Sequence, residues 1–396
     1  MSSTTITLDG DDWTIREALG DTAEWYLGAP LPEAGNNVAE ASAAIAAAPG
    51  WLPGRVPGAV VDDLHRAGEL PDPRVGRNSR AAEWVAERSW VYRRAVELDA
   101  NAAHGAAVLE FDGVDPGADV YWDGEHVGSV RGLYHRLRVP LDASLRSAGR
   151  HKLALRVHPA PDSEPQVGRT ERVRVHTPRL GYGWDFSPRL RHQGVWKSAR
   201  LRVGRALLGD VTVRASVAEA PYGESLRDFA PTDDELSQQG GSDGVVAVAW
   251  EAPLVERSDA ALTVTVAVAR DGRPVAERRV PAADGSAELR IPNPELWWPN
   301  TVGAQPLYTV TVVLADDEGE TDRTERRVGF RTAALVPNPG APADALPYTA
   351  VVNGVTVPLL GWNWTPADAQ FGSIDEGTVE HLLGLAAASG ARLMRV

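Results

Sequence analysis

The 396-residue chain contains no cysteine, which removes disulfides, thiolate nucleophiles and thiolate metal sites together. It also lacks any stretch near the ~18 apolar residues a membrane-spanning helix needs. The opening MSSTTITLDGDDW has neither a basic n-region nor an apolar h-region. These absences lead to the expectation of a soluble, cytoplasmic protein with no membrane partner. Basic residues are in deficit, 40 Lys and Arg against 54 Asp and Glu for a formal net charge of -14, and no Lys/Arg cluster is dense enough to track phosphates. Nucleic acid is therefore not an expected partner. The nine histidines show no His-x-x-x-His spacing with a nearby acid, so neither a metal nor any other cofactor is expected. Phenylalanine is scarce, five against thirteen tryptophans. A flat ring with one donor suits the apolar face of a sugar, and it equally suits a β-sandwich core.

The residues that are present read as β structure. Alternating apolar and polar positions predict strands at 90–98, 106–111, 118–122, 127–130, 134–139 and 151–157, with 194–203 closing the unit. Asp123-Gly124 is a two-residue turn that wants positive φ at both positions. Ahead of these, the Pro- and Gly-punctuated stretch from Trp51 to Asn78 is expected to wrap a sheet rather than join one, with a short helix near Val60–Ala67. An Ala-rich run at 37–48 reads as a short helix or loop insertion. A second group of strands, at 210–216, 244–251, 261–270, 287–291, 308–314 and 325–331, has the density of an immunoglobulin-like sandwich, with a hairpin turn at Asp271-Gly272. The polar stretch at 221–243 reads as a solvent loop. After a Pro/Ala linker come a hairpin around Asn353-Gly354, an amphipathic helix at 375–389 with Val379, Leu382, Leu383 and Ala386 on one face, and a buried strand at 392–396. Asp375 and Gly390 stand as the helix caps. Helix followed by apolar strand is how an α/β domain opens.

Several stretches resemble the family 2 glycoside hydrolases, in their β-mannosidase branch. They are PGAVVDDLHRAGELPDPRVGRN with Trp84 and Trp90-Val91-Tyr92 after it, LEFDGVDPGADVYWDG, GYGWDFSPRL followed by GVW, ELWWPNTVGAQPLY, GWNWTPAD and RLMRV. The fold expected from pattern and resemblance together is mainly β. It comprises a jelly-roll sugar-binding-type domain at 1–205, an immunoglobulin-like β-sandwich at 206–335, and the first elements of a (β/α)8 barrel at 336–396. The resemblance implies exo-acting removal of terminal non-reducing β-D-mannose from an oligosaccharide by a retaining mechanism, with two glutamates about 5 Å apart. Both glutamates are expected beyond Val396. No catalytic residue is assigned within the chain, which is expected to be inactive alone. Glu251, Glu295, Asp368, Asp375 and Glu376 read as surface, cap or turn residues. Alternatives are a non-catalytic carbohydrate-binding or scaffold protein, or a related exo-β-glycosidase acting on galactosides, glucuronides or glucosaminides. Nothing in the sequence speaks to oligomeric state.

The resemblance also implies residues that touch sugar. Asp185, in Trp184-Asp185-Phe186, matches an aspartate on a family loop reading Trp-Asp-Trp-Gly-Pro, where a carboxylate accepts hydrogen bonds from sugar hydroxyls. Here Phe186 and Ser187 replace the second Trp and the Gly. Without that match Trp184 would be a packing residue and Asp185 a turn former. Asn363 and Trp364 match a family Asn-Trp segment at the barrel entrance, and Trp362-Asn363-Trp364 reads as a loop before a proline. Arg395 matches an arginine beside the family nucleophile, with a structural ion pair as the other reading. Trp297-Trp298 and Trp196 read as packing anchors.

Overall fold

The computed structural model describes residues 3–18, 50–100, 102–162, 174–217, 243–255, 261–342 and 344–396. The Ala-rich run at 37–48, and the loop at 221–243 up to its last residue, lie outside the described residues. The chain divides into two compact units. The first is Thr4–Gly204 with Pro366–Glu376; the second is Met1–Ser3, Arg205–Thr365 and Gly377–Val396.

Period-two burial builds the first unit. Strands Trp90–Leu98, Gly117–Trp122 and Gly149–Val157 put Tyr92, Val96, Val120, Trp122, Leu153 and Leu155 on one apolar face. They pair antiparallel in a six-stranded sheet ordered Leu52–Val56, Gly10–Glu17, Trp90–Leu98, Gly149–Val157, Gly117–Trp122, Glu125–Arg131. A four-stranded sheet, ordered Thr4–Thr7, Ala199–Gly204, Ala106–Phe111, Leu137–Pro140, supplies the other half of one shared core. Trp13, Tyr92, Phe111 and Trp122 are fully buried there, each such side chain contributing roughly 1.5–3 kcal/mol by leaving water. Asp123-Gly124, Asp271-Gly272 and Asn353-Gly354 all have positive φ at both positions, so the turn chemistry set the hairpin registers as expected.

The second unit repeats the principle. A three-stranded sheet of Val211–Val217, Gly244–Trp250 and Ser286–Ile291 shares a Val-rich core with a four-stranded sheet of Arg273–Pro281, Thr263–Arg270, Tyr308–Asp316 and Gly319–Val328. Phe330 is fully buried and meets Tyr308 edge-on at 4.9 Å. Asp322, also buried, accepts from Ser3 Oγ and from Leu208 N, each at 2.7 Å. Trp298 packs with Val352 and Val357 beneath the hairpin Thr349–Val352, Val355–Thr356. Strands Gly361–Asn363 and Leu393–Arg395 then pair in parallel, joined through the helix Glu376–Ala388. Parallel neighbours require such a crossover.

Four expectations change. Leu52–Val56 joins the sheet rather than wrapping it, because Pro53 occupies an edge strand where a missing N–H costs no ladder bond. Gly361–Asn363 is a strand and not a loop, since its backbone finds Leu393–Arg395 as a partner. The strand Leu393–Arg395 is exposed rather than buried, with Leu393 42% and Val396 99% accessible, since a single neighbour covers only one edge. The last strand of the second sandwich is Gly319–Val328 rather than 325–331, because the turn at Asp317-Glu318 folds it back on Tyr308–Asp316.

The short helix Val60–Arg66 carries two adjacent buried acids. Asp63 receives Tyr92 Oη–H at 2.9 Å and Arg55 N–H at 3.2 Å and pairs with Arg66. Burial nevertheless prevails and pushes its carboxyl up from 3.8 to about 7. Between those values the folded chain holds a proton that the unfolded chain has lost. Stability from this group is therefore present near pH 4 and is lost as pH rises to about 7, at up to about 1.4 kcal/mol per pH unit. Asp63→Asn is expected to flatten this part of the thermal-stability profile, read by calorimetry from pH 4 to 8. In the second unit, Phe330→Ala is expected to cost about 3–5 kcal/mol of that unit's unfolding free energy, read in the same scans.

Candidate functional site

On the first unit, the loop between Arg179 and Leu190 rises from a base fixed by charge. Arg191, with its side chain buried, reaches Asp162 at 3.1 Å and Glu83 O at 3.2 Å, while Arg189 bonds Asp162 at 2.7 Å and Glu83 at 3.2 Å. The two guanidiniums share Asp162, while Arg189 also meets the Glu83 carboxylate and Arg191 the Glu87 carboxylate at 3.4 Å, which fixes the returning arm of the loop. Above this base Leu190 N donates to Gly181 O at 2.9 Å, and Tyr182 and Arg189 form an antiparallel bridge. Gly183, at φ +98°, turns the chain into the tip. There Trp184 N donates to Ser187 O at 2.9 Å.

The tip presents Trp184 at 41% and Phe186 at 57% accessibility, rings 6.5 Å apart and tilted by 49°, with an exposed Asp185 between them in sequence. Packing does not account for two aromatic rings left in water at the end of a braced loop. A carboxylate flanked by two exposed rings can accept hydroxyl hydrogen bonds while the rings cover C–H faces.

On the second unit, the parallel pairing places Asn363 opposite Arg395, each the last residue of its strand. Arg395 Nη1 lies 3.4 Å from Asn363 Oδ1, and Trp364 N donates to Arg395 O at 2.7 Å. The structure thus brings Asn363, Trp364 and Arg395 together. The side-chain contact of Arg395 is the neutral amide of Asn363. Trp184 and Asp185 form a separate group on the other unit. Trp362, at the middle of its strand, is exposed and donates to Ser389 Oγ at 2.9 Å. Glu295 pairs with Arg270 and Asp368 with Arg74, as surface or turn acids do.

Sequence reading passed over Arg189 and Arg191, and Phe186 entered it only as a departure from a motif. Arg189 and Arg191 lie 27 and 29 residues from Asp162 and 106 and 108 from Glu83, and no local spacing signals their pairing. Among the described residues no group of three or more His, Asp or Glu side chains is arranged to hold a metal ion. No helix among them is long and apolar enough to cross a membrane.

Residues 13–197 match the family model described as glycosyl hydrolase 2 galactose-binding domain-like, and residues 237–331 match that described as glycosyl hydrolases family 2. The chain is similar to β-mannosidase B of Emericella nidulans, 28% identical over 357 residues, covering 86% of this chain and 40% of that protein. β-Mannosidase B of Aspergillus niger is 27% identical over 362 residues, covering 87% and 40%. The chain therefore spans about 40% of the length of these curated relatives. Among solved structures, β-D-mannosidase from Dictyoglomus thermophilum superposes with a TM-score of 0.73 at 25% identity, covering 99% of this chain and 44% of that one. A β-glucuronidase from Ruminococcus gnavus, with a TM-score of 0.64 at 14% identity over 100% of this chain and 55% of that one, shares the fold. Two sandwiches in this order, matched by two domain models of one family and by a β-mannosidase structure across nearly their whole length, place the chain in glycosyl hydrolase family 2, on its β-mannosidase-like side.

Proposed function

We propose that the chain is the front part of an exo-acting glycoside hydrolase that removes terminal non-reducing β-D-mannose from oligosaccharides by a retaining mechanism. The observation that carries the reading is the braced, exposed Trp184-Asp185-Phe186 tip, in a chain whose relatives are named β-mannosidases. In the proposed site Asp185 accepts hydrogen bonds from sugar hydroxyls, and Trp184 and Phe186 bound the ring by its apolar faces. The parallel strand–helix–strand unit opens a (β/α)8 barrel, in which catalytic groups stand at the C-terminal ends of strands. Asn363 and Arg395 occupy such ends. There Arg395 contributes a fixed cation that favours the ionised form of a nearby carboxylate, and Trp364 edges the pocket. The two glutamates of the retaining reaction belong to the rest of the protein.

The test compares the whole protein with residues 1–396 on an aryl β-mannoside. Turnover by the whole protein alone is the expected result. In the whole protein Asp185→Asn is expected to lower kcat/KM about 10- to 100-fold, the weight of one charge-assisted hydrogen bond of roughly 1.5–3 kcal/mol. Turnover of a β-glucuronide or β-galactoside in place of the mannoside would reassign the sugar. Oligosaccharide binding by both forms without turnover by either would leave a binding module.

A further inference from the structure

Pro366–Glu376 lies far along the sequence from Thr4–Gly204, yet it packs within the first unit. Three consecutive residues of it are seated against the returning arm of the loop that carries Trp184, Asp185 and Phe186. Gln370, fully buried, donates through Nε2 to Leu190 O at 3.3 Å. Phe371 stacks on buried His192 with ring centroids 3.9 Å apart and planes 19° from parallel, and meets Trp196 edge-on at 5.2 Å. A Cβ at Gly372 would stand 2.7 Å from Gly58 O, 2.8 Å from His192 Nε2 and 3.1 Å from Trp196 Cα, so only glycine lets the segment lie this close. Ala369 and Phe371 also line one depression with Thr177, Leu180, Tyr182 and Arg191, which brings the segment against the outgoing arm as well.

The segment is itself fixed from below. Asp368 pairs with Arg74, whose guanidinium also bonds Asp62 at 2.7 Å, and Asp368 Oδ1 accepts from Gln370 N at 2.8 Å. Ser373 Oγ donates to Asp62, and Ser373 N to Gln370 O at 3.0 Å. At the foot of the loop, Oδ2 of the fully buried Asp115 accepts from Thr177 Oγ1 at 3.3 Å and lies 3.3 Å from His192 Nδ1, though not aligned with it as a hydrogen bond.

Contacts alternate along the returning arm. Arg189 and Arg191 run to Glu83, Asp162 and Glu87, whereas Leu190 and His192 run to Pro366–Glu376. Asp162 and Glu87 are exposed, and water and salt weaken pairs of that kind. The contacts of Leu190 and His192 are buried and close-packed, so they leave the arm less freedom to shift. Leu190 also ties the two arms together: its N donates to Gly181 O at 2.9 Å, and a Cβ at Gly181 would stand 3.3 Å from Leu190 O. A displacement of Leu190 is therefore passed to both sides of the tip.

We propose that Gln370, Phe371 and Gly372 are positioning residues for the Asp185 carboxylate, acting through Leu190 and His192 within the first unit. Their effect on hydrolysis rests on the sugar contact proposed above for Asp185; the seating of the loop does not. A misplacement of about 1 Å, even from a change away from the chemistry, can cost up to about 100-fold in rate, so a loop held only by its exposed ion pairs would present Asp185 poorly.

The test uses amide hydrogen exchange and turnover of an aryl β-mannoside, both in the whole protein. Phe371→Ala removes the stacked ring; should it fail to fold, Gln370→Met removes the bond to Leu190 O at nearly constant volume. In either variant the Leu190 amide, bonded to Gly181 O, and the Trp184 amide, bonded to Ser187 O, are expected to exchange about ten-fold faster, with amides of Trp90–Leu98 unchanged. kcat/KM is expected to fall about ten-fold, and by less than about two-fold when Asp185→Asn is already present, because a residue that acts only through Asp185 has nothing left to position. Phe371→Tyr, which keeps the stacked ring, should stay within about two-fold of the wild type. Faster exchange at Leu190 with Trp184 unaltered overturns the inference, as does an equal fall in kcat/KM with and without Asp185→Asn. If the wild-type protein turns over no mannoside, the mannosidase reading fails, while faster exchange at both amides in the variants still supports the seating of the loop.

Discussion

Two adjacent carboxylates on one short helix hold the first unit together from opposite sides. Asp63 faces inward, fully buried, to Tyr92 on a central strand of the six-stranded sheet. Asp62 faces the other way, to Arg74 and Ser373. A buried charge is tolerated only when its partners come to it, so these acids dictate where the helix, the Arg74 turn and the segment Pro366–Glu376 must lie. The helix backbone is fixed as well, with Val60 N donating to Gln193 O and Gly58 N to Val195 O. The carboxyl of Asp63, raised to about 7, shows that this arrangement is maintained against a desolvation cost and is not a source of surplus stability.

The same logic recurs wherever the chain must present something to solvent. The Trp184-Asp185-Phe186 tip is exposed, but its base is a chain of ion pairs that runs from Glu83 through Arg189, Asp162 and Arg191 to Glu87. Rigid support beneath exposed side chains lowers the ordering entropy that any contact they make must overcome. The strand ends at Asn363 and Arg395 have little support of their own. Within the same unit the end of the joining helix is held by Asn300, bonded to Ala387 O and Ala391 O at 3.1 Å.

The chain covers less than half the length of its curated relatives. Every acid buried in the described core has a structural partner. Asp63 serves Tyr92, Glu110 serves Arg138, Arg200 and Arg202, and Asp322 serves Ser3 and Leu208. Such acids are scaffold residues that hold elements of the core together.

The sequence by itself determined most of the architecture. Period-two alternation at Trp90–Leu98, Gly149–Val157 and Thr263–Arg270, with Asp-Gly and Asn-Gly turns between neighbours, leaves one apolar face per strand, and two such faces can only close on each other. The capping position of Gly390, left-handed at φ 80°, was legible because it depends on the helix just before it, while the burial of Trp298 was read from its Trp-Trp-Pro motif. The sequence also singled out Asp185 and Arg395, through motifs. Tertiary structure alone decided which positions are braced: the Arg189–Arg191 base, the Phe371–His192 stack, the space closed around Gly372 and the pairing of Asn363 with Arg395. Each joins residues far apart in the chain, where no periodicity reaches, and a contact made by folding leaves no mark on the local pattern of either partner.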